Sequence, residues 1–329
     1  MILPAQAHAE IDKLYHNRNH VELTIGIRQN SRSQIVHFGP DRRIVKGDPV
    51  VYPVGSICKP FTASLAAKYI ADAKLDLDAP LSRYIEGLPE QYYPSLRRLA
   101  THTSGYASQP YTLLTSLPFF IHMNEEGGLF HTNPFRGVPD EEGMKKILAE
   151  THLQNKTYKF TYSNFGMSVL GYIAGEVNGK GFWDAMTEYI RKDLGLKNTF
   201  LGNIDLTGYD HKENPCQCWQ WEKEDIIAPA GALNATVEDL LLFGEMNMDG
   251  SHPYLSMCHS VQVPIDSHTD SGLAWRLEKD MPVSWHTGSA GAYQAWLGID
   301  RETGTSVAVG VNYGLVNAEE LGLAIIRNI

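Results

Sequence analysis

Strand patterns lie at the two ends of this chain and helical patterns fill its middle, which limits how it can close on itself. Residues 21–29 alternate, with Val21, Leu23, Ile25 and Ile27 on one face, as a half-buried strand does. A polar turn, Asn30-Ser31-Arg32-Ser33, leads to a return strand over 34–38, so the pair reads as a hairpin. Near the other end, residues 273–277, 283–287, 293–300 and 306–312 read as strands, and Arg301-Glu302-Thr303-Gly304-Thr305 forms the turn between the last two. Helices are predicted over 4–20, 56–73, 141–150, 183–194 and 236–248, with another from Asn164 to a stop at Asn178-Gly179. Asn317 caps a final helix, with Glu320 in capping-box position.

The simplest packing joins the N-terminal hairpin to the C-terminal strands in one antiparallel sheet flanked by helices, an α+β fold. Residues 1–75 and 255–329 would form the sheet-containing part, and 76–254 a mainly helical insertion. Segment 106–140 follows no single period and is rich in proline, glycine and aromatics, as expected of a substrate lid or pocket wall.

Composition narrows the function classes. The chain has 329 residues, 43% hydrophobic and 20% charged, enough for a sizeable core. A net charge of −10 argues against a nucleic-acid or anionic-membrane partner. No apolar run approaches the ~20 residues of a membrane span. Four cysteines are too few for a disulfide framework at this size. Residues 1–9 lack the basic region and long apolar core of a signal peptide, so the chain reads as cytoplasmic; periplasmic or secreted placement would need an export signal outside this sequence.

One short stretch carries chemistry. Gly55-Ser56-Ile57-Cys58-Lys59-Pro60 sets a serine and a lysine three residues apart where a strand-like run gives way to a helix. Positions i and i+3 share a helix face, so the two side chains would be within hydrogen-bonding reach. A serine hydroxyl needs a base to become a nucleophile. Lysine can supply one if burial or a helix N-terminus lowers its pKa. Cys58 reads as a small packing residue. Two further elements fit. Tyr162-Ser163-Asn164 offers a phenol that could relay a proton, if cations depress its pKa, and an amide able to donate to substrate and accept from lysine. His286-Thr287-Gly288-Ser289 ends a strand; its glycine admits close approach, and the Ser289 N–H, with that of Ser56, could form an oxyanion hole.

The order Ser-x-x-Lys, Tyr-x-Asn, His-Thr-Gly resembles the serine β-lactamase and penicillin-binding-protein superfamily, in its class C and D-alanyl-D-alanine carboxypeptidase/esterase branch. Leu99-Ala100-Thr101-His102-Thr103-Ser104-Gly105 and Pro229-Ala230-Gly231-Ala232-Leu233-Asn234-Ala235-Thr236 add to the likeness, which runs from about residue 20 to the C-terminus. The resemblance implies an antiparallel sheet domain interleaved with an all-helical one, no cofactor, and a small-molecule or short-peptide substrate with an amide or ester bond. It implies acylation of Ser56, acid/base work shared by Lys59 and Tyr162, and substrate contacts from Asn164, His286, Thr287, Gly288 and Ser289. Which of Lys59 and Tyr162 takes the serine proton stays open.

His286 stands where a lysine is common, so the permanent positive charge for a substrate carboxylate is missing unless a carboxylate beside it keeps the imidazole protonated. That favours a carboxypeptidase, amidase or esterase. The alternatives are an acyltransferase using the same acyl-enzyme, and a true β-lactamase or a penicillin-binding sensor without turnover. Other patterns are weaker. His16 and His20 lack a zincin glutamate. His211 with Cys216 and Cys218 is an incomplete metal set. His102 is expected to bond backbone in its turn. Trp219, Trp221, Tyr293 and Trp296 read equally well as pocket lining or as core and rim aromatics.

Overall fold

The protein is described by a computed structural model that covers residues 3–109, 128–137 and 139–329. The lid reading of 106–140 falls largely on residues 110–127 and 138, outside the described residues.

Eight strands form one antiparallel sheet. They are β1 (Leu23–Gln29), β2 (Arg32–Phe38), β3 (Val263–Pro264), β4 (Thr269–Ser271), β5 (Arg276–Glu278), β6 (Val283–Ala290), β7 (Tyr293–Asp300) and β8 (Thr305–Val311), in the order β2-β1-β8-β7-β6-β5-β4-β3. The N-terminal hairpin therefore joins the C-terminal strands through β1 and β8, with Leu23 opposite Val311 and Ile27 opposite Val307. That register turns Leu23 and Ile25 to the same face as Val307, Val309 and Val311.

Helices cover both faces, so β8 is buried along its whole length. On one face lie α1 (Ala5–Tyr15) and the last helix of the chain, Ala318–Ile326. Ala7, Ile11, Leu14, Leu321 and Ile325 pack there against the β8 valines and Trp296. On the other face the helix Val237–Met246 packs against β1 and β8. Its N-cap is Thr236, whose hydroxyl accepts the Asp239 N–H. Beyond it stands α2 (Cys58–Ala71), buried nearly all round, and against α2 packs α3 (Asn164–Glu176). Because α2 is wrapped on nearly every side, it keeps almost no polar face.

The strand expected over 273–277 begins only at Arg276. Ala274 adopts a left-handed φ of 58°, and the Gly272 N–H closes a tight turn onto the Trp275 carbonyl at 2.8 Å. Ala274 and Leu273 donate instead to the carbonyls of Ala100 and Cys258, tying this turn to the helical part. The two- and three-residue strands β3 and β4 are too short to show a period. Of the four aromatics singled out, Tyr293 and Trp296 are fully buried in the core.

Candidate active site

A 3₁₀ turn, Gly55–Ile57, runs straight into α2 and carries Ser56. Gly55 has a φ of +49°, and a side chain on it would overlap the Ser289 main chain. On the facing strand β6, a side chain on Gly288 would overlap the Val54 carbonyl. Two glycines thus let the 3₁₀ turn and β6 touch backbone to backbone. This contact brings the main chains of Gly55 and Ser289 together, one residue from Ser56.

Lys59 lies in the first turn of α2 and is 0% exposed. Its Nζ donates to Ser56 Oγ at 2.8 Å and to the Ala230 carbonyl at 2.8 Å. Burial pushes the amine down to about 7. The same amine sits 4.7 Å from the Tyr162 ring centroid. Burial raises the Tyr162 phenol above its ordinary value, an effect that hydrogen bonding to Ser56 and the charge of Arg276 oppose without cancelling. The depression expected of a cationic cleft is outweighed by that burial.

Two imidazoles flank Tyr162. The His102 ring lies 4.6 Å away and that of His286 6.2 Å away, both tilted. The Ser163 N–H donates to His102 Nδ1 at 3.1 Å, which puts the His102 proton on Nε2. His286 Nδ1–H donates to the Thr287 carbonyl at 2.6 Å, leaving Nε2 with its lone pair. Burial, then the charge of Lys59, pushes His286 down to about 3, so it is neutral across the physiological range. Among the described residues no carboxylate acts to keep it protonated; the charged group beyond it is Arg276, whose guanidinium lies over Phe160 and Trp285 and shares a small cavity with His102, Tyr162 and His286. Arg276 gave no motif-level signal, because its role depends on a strand pairing that no sequence spacing reveals.

The remaining residues have other partners in the protein. Asn164 Nδ2 donates to Gln109 Oε1 at 3.3 Å, and Thr287 Oγ1 donates to the Ala295 carbonyl at 3.2 Å. Ser289 Oγ accepts from Gln294 Nε2 at 2.8 Å. Cys58 is buried, with its thiol pushed up to about 11, so it is not a competing nucleophile. Ser56, Asn164 and Ser289 open onto a cavity of about 350 Å³ that Trp219 and Trp221 help to line. Elsewhere, Cys218 Sγ faces the Leu206 carbonyl, the His211 ring packs on Phe130, and no group of three metal-ligating residues occurs among the described residues. His20 stacks on Tyr209 rather than pairing with His16. No helix among the described residues is long and apolar enough to cross a membrane.

A sequence profile described as Beta-lactamase matches residues 48–325. The chain belongs to the beta-lactamase family. It is 27% identical over 238 residues to a beta-lactamase of Providencia stuartii, covering 69% of this chain and 55% of that protein. To one of Pseudomonas fluorescens it is 24% identical, over 81% and 72% of the two chains. The chain thus spans little more than half the length of the Providencia relative. Among solved structures, a class C beta-lactamase from Rhodobacter sphaeroides superimposes with a TM-score of 0.76 at 19% identity, over 99% and 98% of the chains. A beta-lactamase/D-alanine carboxypeptidase from Pseudomonas syringae gives 0.76 at 18%, over 98% of each. These likenesses extend the family's fold, an antiparallel sheet with helices, to the whole chain.

Proposed function

We propose that this protein cleaves an ester or amide through a Ser56 acyl-enzyme, as an esterase, amidase or peptidase rather than an efficient β-lactamase. The observation that carries the reading is the bond from the buried Lys59 amine to Ser56 Oγ. An amine with a pKa of about 7 is largely neutral at pH 8 and can accept the serine proton. The phenol of Tyr162, raised by burial, is a poorer base and serves better as a donor.

Ser56 Oγ attacks the substrate carbonyl carbon while its proton passes to Lys59 Nζ. The oxyanion is held by the N–H groups of Ser56 and Ser289. On collapse the C–O or C–N bond breaks, and the leaving group takes a proton from Tyr162, which Lys59 replenishes. Water, or another acceptor, then resolves the ester on Ser56 by the same route. The neutral His286 supports the lean away from β-lactams, since it offers no fixed charge to a substrate carboxylate.

The test is intact mass after exposure to a fluorophosphonate probe. One adduct on wild type and none on Ser56→Ala is expected; a folded wild type that takes no adduct would sink the proposal. Turnover of an ester with and without an added alcohol or amine separates hydrolysis from acyl transfer.

A further inference from the structure

Neighbouring side chains of a strand point to opposite faces of the sheet, and on β6 this divides Trp285 from His286. His286 stands beside Tyr162, whereas Trp285 packs on the face covered by α1 and the last helix, Ala318–Ile326. On that second face lies a cavity of about 570 Å³, bounded by β4, β5, β6 and the last helix. Arg276 and Glu278 enter it from β5. Glu319 and Leu323, four residues apart on one helix face, enter it from the other side of the cleft.

Most of the charges that border this cavity are matched within the protein. Glu278 accepts from Trp285 Nε1 at 2.8 Å and pairs with Arg327 at 2.6 Å. Asp266 Oδ1 accepts the N–H groups of His268 and Thr269, each at 2.8 Å. Asp280 is exposed to water. Two groups are left over. The Arg276 guanidinium rests between ring faces, 5.8 Å from the Phe160 centroid and 5.3 Å from that of Trp285. Among the described residues it makes no hydrogen bond and no ion pair. The half-buried Glu319 makes none either; burial raises its carboxyl, and the charge of Arg276 opposes that rise without a contact between the two. Part-buried charges are ordinarily paired, because each has given up water.

The leftover pair selects a ligand. An anion alone would satisfy the Arg276 donors but would meet Glu319, Asp266 and Asp280. A cation alone would satisfy Glu319 and leave Arg276 as it is. A small zwitterion answers both groups at once, and Met281, Trp285 and Leu323 give it apolar surface to lie against. We propose that this cavity is a binding site for a free α-amino acid with an apolar side chain. Its carboxylate meets Arg276, its ammonium meets Glu319, and its side chain covers Trp285, Met281 and Leu323. Arg276, held flat between two rings, needs little ordering to take a carboxylate on two N–H groups.

The experiment is calorimetric titration of the whole protein at pH 7 with leucine, with leucinamide, which keeps only the ammonium, and with N-acetyl-leucine, which keeps only the carboxylate. Leucine is expected to bind with a Kd on the order of 0.1–1 mM, and each analogue at least about tenfold more weakly. Arg276→Gln is expected to erase the preference for leucine over leucinamide, and Glu319→Gln the preference for leucine over N-acetyl-leucine. A folded wild type that binds no leucine at about 10 mM would overturn the site, as would an analogue that binds as well as leucine. A Glu319→Gln protein with unaltered circular dichroism and unaltered leucine affinity would also overturn it. Glu319 stands on the last helix, away from Ser56, so that result would put the amino acid on the other face of the sheet. The comparison of ligands on wild type decides the matter even if the Arg276 variant does not fold.

Discussion

At the scale of single residues, the base proposed here, Lys59, bears on both activity and stability. Its folded-state pKa of about 7 lies below the ordinary lysine value of 10.5. Above pH 7 the native amine is neutral and can act as base, so kcat/KM on a neutral ester is expected to climb with an inflection near 7 and to fall roughly tenfold per pH unit below it. An inflection only above 9 would transfer the base role to Tyr162. The sign for stability follows from proton binding. Between about 7 and 10.5 the unfolded chain holds more protons than the native one, so stability rises with pH across that window. Below 7 the burial penalty is full. Lys59→Met is therefore expected to be inactive and yet more stable at pH 6, by roughly 1–4 kcal/mol in denaturant titration. The residue types at 56, 59, 162 and 164 were readable from spacing. The missing charge at His286 was an expectation too; what spacing could not give is the burial that enforces it and Arg276, which arrives from a neighbouring strand.

Between elements, the decisive contact is the 3₁₀ turn against β6. Gly288→Ala would force the strand off the Val54 carbonyl. The expected result is a loss of about 1–3 kcal/mol of stability. The fluorophosphonate labelling rate should also drop about 100-fold as the Ser289 N–H moves from Ser56. An unaltered labelling rate would show that Ser289 does not serve the oxyanion. Strands β1, β7 and β8 announced themselves by alternation or by length with β-branched residues. Strands β3 and β4 did not, and the start of β5 was displaced by the Ala274 turn. Such short elements are set by partners, here Ala100 and Cys258, rather than by their own pattern.

For the whole molecule, one apolar cluster runs from the sheet residues Ala295, Leu297 and Ala308 through α2 to Met167 and Leu170 of α3. Sheet and helices therefore share a core, although the chain interleaves them. A single cooperative unfolding transition is expected, with tryptophan fluorescence and far-ultraviolet circular dichroism coinciding. Separate transitions would mean that the helical part folds on its own.

The sequence alone determined the types of the longer elements, the meeting of the two chain ends in one sheet, and the three motifs of the candidate site. Local pattern suffices for these: alternation fixes a strand face, and three residues of helix fix a shared side. Only the tertiary structure decided which charges exist in the site, since ionisation depends on desolvation by residues far apart in the chain. It also decided the wall of the cavity beside Ser56, because Leu129 and Trp219, ninety residues apart, meet only through a hydrogen bond that no spacing foretells.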